Sequence, residues 1–162
     1  MRLYHGSNAA IETPKLLHQQ RGLDFGAGFY LTSSRAQAER FSFNVARRAG
    51  EGAPTVSVYE FDAEVAERKL DALHFNGADY DWLAYVRDNR LKQYAGREYD
   101  IVIGAVANDD VLPTILLYIN GQLDADLTIG ALKTRKLVDQ YCFKTEAALA
   151  FLNFQGAEVA AV

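Results

Sequence analysis

Cysteine is almost absent from this sequence, since Cys142 is the only one among 162 residues. A single thiol cannot form a disulfide within the chain, and it cannot supply a zinc site built from several cysteines. The histidines do not compensate, because His18 and His74 have no histidine or cysteine partner at ligand spacing. The sequence therefore predicts no internal disulfide and no metal site.

Long hydrophobic runs are also missing. The longest apolar stretch, residues 111–119, is far shorter than the roughly 20 residues that span a bilayer. Residues 1–6 contain no apolar run of the kind that forms a signal peptide. We therefore expect a cytoplasmic protein without a membrane partner.

Excess positive charge is the third absence. The formal net charge is −4, which argues against a protein that coats nucleic acid through bulk charge. Hydrophobic residues make up 49% and charged residues 23%, as in a folded globular protein rather than a disordered one. The length predicts one domain over residues 1–162.

Strand and helix patterns are interspersed along the chain. Alternating or short apolar runs predict strands at residues 2–7, 29–32, 55–61, 100–107 and 138–143, with a last strand at 157–162. Helical spacing predicts helices from the Ser34 cap to Gly50 and over residues 79–90, 111–120, 124–133 and 145–154. The crossovers are not regular βαβ units, so the order favours an α+β fold.

Three short segments stand out as candidates for chemistry. The first is Tyr4-His5-Gly6-Ser7, at the end of the first strand. The second is GAGFYLT at residues 26–32, which leads into the helix that carries Phe41. The third is DQYCF at residues 139–143, in a late strand.

Taken together, HGS, the GxGFYLT segment and the Ser-capped helix resemble the branch of ADP-ribosyltransferases that contains poly-ADP-ribose polymerases and diphtheria toxin. That branch carries a His-Tyr-Glu triad on three separate strands. The resemblance implies that His5 and Tyr30 are the first two members, and that Gln140 stands at the position of the glutamate. It implies that Phe41, eleven residues after Tyr30, is the second aromatic of the site. It also implies a split antiparallel sheet with flanking helices and a cleft that takes NAD as substrate.

A second resemblance covers nearly the whole chain. The segments YDWLAYVRDNR, YDIVIGAVANDD and DQYCFKTEAAL are similar to a bacterial domain family catalogued as uncharacterised and related to the same superfamily. This likeness is more extensive than the first, but it carries less information about chemistry.

The chemistry of NAD cleavage fits the same residues. Breaking the nicotinamide–ribose bond passes through an oxocarbenium-like state, as glycoside cleavage does. Tyr30 and Phe41 are candidates to sandwich the flat ring, and the backbone of Gly6 is a candidate to meet the carboxamide. His5 offers a ring nitrogen to a ribose hydroxyl, and Ser7 offers a hydroxyl to the carboxamide.

Gln140 departs from the triad because an amide carries no charge to stabilise the developing cation. By resemblance, a residue other than glutamate suggests transfer of a single ADP-ribose rather than chain growth. The alternatives are low activity, or a carboxylate supplied by Glu60, Asp109 or Glu146.

Each of these residues also has a purely structural interpretation. His5 satisfies a turn, and Tyr30 and Phe41 pack in a core. Gly28 is a candidate cofactor contact, and its structural alternative is a glycine required by a turn. Gln140 is otherwise an ordinary strand residue.

Three further residues are candidate substrate contacts with simpler alternatives. Arg90 either meets a diphosphate or pairs with an acid at the end of its helix. Asn108 and Asp109 either contact the ribose or cap the helix that follows.

The sequence leads to one principal function and two alternatives. The principal one is an NAD-dependent ADP-ribosyltransferase that modifies a macromolecule, protein or nucleic acid, as a bacterial toxin or as part of a toxin–antitoxin pair with an antitoxin protein. The first alternative keeps the fold but changes the reaction, to NAD hydrolysis or RNA 2′-phosphotransfer. The second is a binding module that holds NAD or a nucleotide without turnover.

Overall fold

A computed structural model of the chain describes residues 1–17, 22–107 and 110–161. Seven strands lie within these ranges: β1 Arg2–Ser7, β2 Phe29–Thr32, β3 Thr55–Phe61, β4 Ala72–His74, β5 Ile101–Ala105, β6 Asp139–Phe143 and β7 Leu152–Val159. Six helices accompany them: α1 Arg35–Ala49, α2 Ala63–Lys69, α3 Tyr80–Arg90, α4 Leu112–Ile119, α5 Ala125–Leu132 and α6 Glu146–Leu149. The predicted α+β class is confirmed.

The strands form one seven-stranded sheet in the order β4-β5-β6-β2-β1-β3-β7. Every pair is antiparallel except β4 and β5, which are parallel. The structure has one mixed sheet, in which ladders join all seven strands, where the resemblance implies a split antiparallel sheet. The join between β1 and β2 is nevertheless the weakest in the sheet, with a single registered pair, Tyr4↔Thr32.

Apolar side chains fill both faces of the sheet. Trp82, Val86 and Ile115, from α3 and α4, are fully buried over the face of β5 and β6 that carries Val102 and Cys142. The opposite face carries a second cluster, built from residues that include Leu3, Phe29, Tyr59, Phe61, Phe143 and Leu149. Successive strand residues point to opposite faces, and both faces of β5 are covered, so β5 reads as a continuous apolar run.

Helix α1 begins and ends where the sequence predicts. The Ser34 side chain accepts a hydrogen bond from the Gln37 backbone N–H at 3.3 Å, and Gly50 ends the helix in the left-handed region at φ 68°. The Gln37 side chain does not accept from the Ser34 N–H, a bond that would complete a capping box, and that N–H donates to Thr32 Oγ1 at 3.1 Å. The Gln37 side chain instead accepts from Thr32 Oγ1 at 3.2 Å, which ties the helix start to β2.

The C-terminal prediction is wrong in its boundaries. A helix over residues 145–154 is predicted, but α6 spans only Glu146–Leu149 and the chain re-enters the sheet at Leu152. Strand β7 pairs with β3 along the length of β3, from Thr55↔Val159 to Phe61↔Leu152. This long-range pairing outweighs the local helical spacing, because the ladder with β3 and the packing of Leu152 and Phe154 against the second cluster stabilise the strand.

The sequence patterns missed α2 and β4. Helix α2 is short but capped, since Asp62 accepts from the Val65 N–H at 3.1 Å. Strand β4 has three residues, and it is a strand only because it pairs with β5. Among the described residues, no helix has the length and apolar character needed to cross a bilayer.

Candidate functional site

The three strands predicted to carry the triad are immediate neighbours in the sheet. Strand β2 lies between β6 and β1. Gln140 of β6 pairs with Thr32 of β2, and Thr32 in turn pairs with Tyr4 of β1. These side chains therefore form a cross-strand row, and His5 and Tyr30 lie within two residues of it along their strands.

The imidazole of His5 marks the point where β1 and β2 separate. If their ladder continued past Tyr4↔Thr32, the backbone of Gly6 would face that of Tyr30. The carbonyl oxygen of Tyr30 instead lies 2.7 Å from Nδ1 of His5. Because a carbonyl only accepts, Nδ1 carries the proton and Nε2 keeps a lone pair. The side chain thus takes the place of a backbone donor, and its outer nitrogen remains an acceptor.

The backbone of Gly6 points into this opening. The Phe61 N–H donates to the Met1 carbonyl at 2.8 Å, next to the registered pair Arg2↔Glu60. In an antiparallel ladder, residues bond to a given neighbouring strand at every second position. Met1 bonds to β3, so the N–H and C=O of Arg2, and likewise those of Tyr4 and Gly6, point away from β3. The amide and carbonyl of Gly6 therefore face β2, beyond the end of the β1–β2 ladder.

Two predicted ligand glycines are also required by packing. A Cβ on Gly6 would collide with the Ala38 carbonyl and come within 2.9 Å of the Ser42 nitrogen of α1. A Cβ on Gly28 would collide with the Cys142 sulfur and come within 2.8 Å of the Phe143 carbonyl. The Cα atoms thus face helix α1 and strand β6, and only the backbone polar groups of Gly6 remain for a ligand.

The phenol of Tyr30 anchors the glycine-rich loop that precedes β2. Its hydroxyl donates to the Gly26 carbonyl at 2.5 Å and accepts from the Phe25 N–H at 3.1 Å. Burial is the main cause that raises the pKa of Tyr30 well above 10.0, so the group is a neutral hydrogen-bonding phenol. The ring packs with the cluster that contains Phe25 and Cys142.

His5 lies on the other side of β2 from that phenol. Its ring stacks on Phe29, with 4.3 Å between centroids, and Phe29 belongs to the second cluster. Neighbouring residues of a strand face opposite ways, so the imidazole and the Tyr30 phenol approach the opening from its two sides. The structure brings the two residues together through the Tyr30 carbonyl, but not within one hollow.

Protonation of His5 is expected to destabilise the fold. Burial lowers its pKa below the ordinary 6.5, and the bond to the Tyr30 carbonyl offsets part of that effect. The unfolded chain therefore binds the proton more readily. The stability that His5 contributes is complete above pH 6.5 and is lost as the pH falls through the lowered folded-state pKa.

This pH dependence is measurable against His5→Gln, which keeps a donor for the carbonyl but does not titrate. Melting temperatures from about pH 7.5 to about pH 5, a range that spans the ordinary histidine pKa, are expected to fall more steeply for the wild type than for the variant. Parallel curves would contradict a buried, neutral imidazole.

A buried carboxylate, which the sequence analysis missed, lies beside Gln140. Asp24 is 5% exposed, and its Oδ1 accepts from Arg90 Nε and Nη2 at 2.7 and 2.6 Å. Its Oδ2 accepts from Gln140 Nε2 at 2.9 Å and from the Ala107 N–H at 3.1 Å. Of the two roles predicted for Arg90, the structure shows the ion pair with an acid.

The other carboxylates considered from sequence lie elsewhere. Glu60 is exposed, 3.0 Å from the N-terminal amine, at the far end of β1 from His5. Glu146 is exposed in the first turn of α6. Asn108 and Asp109 lie outside the described residues. No group of acids, histidines and cysteines in the described part of the chain is arranged to hold a metal ion.

Phe41 presents an aromatic surface on α1. It is 47% exposed, and the Arg48 guanidinium lies 5.8 Å from its ring centroid. With Asn44 and Arg47, these residues line a shallow hollow of about 370 Å³. The rings of Phe41 and Tyr30 make no direct contact among the described aromatic pairs. Ser7, at the end of β1, donates to Asn8 Oδ1 at 3.4 Å.

A larger hollow, of about 560 Å³, lies beside the glycine-rich loop, between Gly22, Gly26, Asn89, Tyr94 and Lys144. It does not contain His5, Tyr30 or Gln140. The ammonium of Lys144 is already bonded to the Phe25 carbonyl at 2.6 Å and the Ala27 carbonyl at 3.2 Å. We therefore centre the candidate site on the β1–β2 opening, where the ladder ends beside His5 and the backbone of Gly6 faces β2.

Comparison with known proteins places this mixed α+β chain in a family. The chain belongs to the family described as "Protein of unknown function (DUF3990)", which it matches over residues 1–154. No curated protein and no solved structure gave a significant match.

Proposed function

We propose that the protein is an NAD-dependent ADP-ribosyltransferase with an ADP-ribosyltransferase-like fold, and that NAD binds across the opening between β1 and β2. The observation that carries the proposal is the bond from His5 Nδ1 to the Tyr30 carbonyl, which ends the ladder and leaves polar groups facing the gap. The resemblance of the HGS and GxGFYLT segments to ADP-ribosyltransferases supports the same location independently of the structure.

The groups at the opening match the functional groups of NAD. A primary carboxamide needs one donor and one acceptor side by side, and the N–H and C=O of Gly6 offer that pair. The exposed ring of Phe41, on the helix that packs against Gly6, supplies an aromatic face for the nicotinamide. His5, on the other side of β2, is placed for a sugar, with Nε2 accepting from a ribose hydroxyl.

The proposed reaction breaks the bond between the nicotinamide nitrogen and C1′ of the ribose. The electron pair of that bond leaves with nicotinamide, which departs neutral, and positive charge develops on the ribose. Gln140 Oε1 accepts a hydrogen bond from a ribose hydroxyl and so stabilises that charge. An acceptor nucleophile then bonds to C1′ and loses its proton.

The acceptor we propose is a macromolecule that receives one ADP-ribose. A neutral Gln140 polarises a hydroxyl less than a carboxylate would, which fits a single transfer better than chain growth. By resemblance, the biological setting is a bacterial toxin, with an antitoxin protein as its partner.

The proposal is tested by incubating the purified protein with NAD, labelled in the adenylate phosphate, and with bacterial extract. We expect free nicotinamide to appear together with label on protein or nucleic acid. The matched control is the same incubation with His5→Ala.

The other outcomes distinguish the alternatives. Nicotinamide and free ADP-ribose without labelled acceptor would replace the transferase with an NAD hydrolase. NAD binding without turnover would indicate a binding module. Neither binding nor nicotinamide release would contradict the proposal altogether.

A further inference from the structure

The contacts of Asp24 fix the orientation of the Gln140 side-chain amide. An ionised carboxylate only accepts hydrogen bonds, and both oxygens of Asp24 already hold donors from Arg90 and Ala107. Gln140 can approach Oδ2 at 2.9 Å only with its NH₂ group. With the amide flipped, Gln140 Oε1 would lie 2.9 Å from Asp24 Oδ2, and two oxygens that only accept hydrogen bonds would face each other.

The fixed amide leaves its carbonyl oxygen directed away from Asp24. No donor among the described residues meets Gln140 Oε1. In the described part of the chain, the Tyr85 hydroxyl and not Gln140 Oε1 is the buried side-chain atom without a partner. The amide thus presents an acceptor and hides its donor, which is the hydrogen-bonding character of a glutamate oxygen.

We infer that Asp24, held by Arg90, is a positioning residue that locks the amide of Gln140 with Oε1 toward the ribose of NAD. This inference rests on the proposed function. It explains how an amide serves at a position where the resemblance expects a carboxylate. It also explains a buried ion pair that links the loop before β2 to the end of α3.

The test is Asp24→Asn, whose side chain can present either an amide or a carbonyl to Gln140. Initial rates of nicotinamide release are measured over a range of NAD concentrations. We expect kcat to fall by about 10- to 100-fold, as for a misplaced catalytic group, with KM changed by less than about threefold. The matched control is Asp71→Asn, which removes an acid from an exposed pair with Arg97 and should leave kcat unchanged.

Two further measurements separate positioning from folding. In ¹⁵N-labelled protein, the Gln140 side-chain amide signals, assigned by their loss in Gln140→Ala, should move in Asp24→Asn and not in Asp71→Asn. The double variant Asp24→Asn/Gln140→Glu should recover most of kcat, because the introduced asparagine can donate its amide to the introduced carboxylate. If Asp24→Asn does not fold, Arg90→Lys keeps the carboxylate but loosens it, and a smaller fall in kcat is expected.

Several outcomes would overturn the inference. One is an unchanged kcat in Asp24→Asn, and another is a fall that only follows the loss of folded protein. Unmoved Gln140 amide signals would also do so, as would a double variant less active than either single one. If the wild type does not convert NAD at all, the proposed function fails, and the amide signals alone still decide the orientation of Gln140.

Discussion

Replacing His5 with alanine is expected to lower the rate of nicotinamide release by about 100-fold or more, the scale seen when one preorganised active-site hydrogen bond is removed. The change removes the acceptor Nε2 that we assign to a ribose hydroxyl. It also removes the donor that holds the Tyr30 carbonyl, so β1 and β2 are free to close the opening.

The matched control is His74→Ala, since His74 is exposed on β4 at the far edge of the sheet. It should keep the wild-type rate. Melting temperatures of both variants establish that the fold persists at the assay temperature. A folded His5→Ala protein with wild-type turnover would contradict the proposed role of His5 in binding the ribose.

Replacing Gly6 with alanine is expected to cost about 3 kcal/mol of unfolding free energy, at the upper end of overpacking penalties. The added Cβ would meet the backbone of α1 at Ala38 and Ser42, and backbone cannot rotate away as a side chain can. For a chain of 162 residues this corresponds to a fall of about 10 °C in melting temperature.

Gly130→Ala is the matched control for this prediction. Gly130 is exposed within α5, and a Cβ there meets nothing within 4 Å. Alanine should therefore raise the unfolding free energy, by about 0.5–1 kcal/mol. A Gly6→Ala protein as stable as the wild type, measured by denaturant unfolding, would mean that α1 does not pack on β1 as described.

Local patterns are sufficient for most of the fold. The runs at residues 2–7, 29–32 and 55–61 coincide with β1, β2 and β3, because alternation and β-branched residues act within a few positions. Strand β4 and the start of β7 depend instead on pairing with distant strands. No property of residues 72–74 or 152–156 alone contains that information.

The candidate site shows the same division. Short motifs single out His5, Gly6 and Tyr30, and adjacent strands bring them together. They do not single out Asp24, because 66 residues separate it from Arg90 and 116 from Gln140. Its one local signal is an acid between apolar neighbours in a glycine-rich loop, and that pattern does not identify a partner.

The position of His5 gives the opening a physical cause. A continuous β1–β2 ladder would satisfy the Tyr30 carbonyl with a backbone donor, whereas here a side chain does so and stacks on Phe29. His5 thereby ends the pairing of β1 with β2, stabilises the separated strands, and presents Nε2 as an acceptor beside them. On the neighbouring strand β6, Asp24 accepts from Gln140 Nε2, and we propose Gln140 Oε1 as the second acceptor.

The most direct test of the account is a titration of ¹⁵N-labelled protein with NAD, followed through the backbone amide of Gly6 and the ring nitrogens of His5. If NAD binds at the opening, both should shift along one saturable curve, with Nε2 of His5 responding more than Nδ1. Saturable binding that leaves both signals in place, or shifts confined to the hollow beside Lys144, would contradict it.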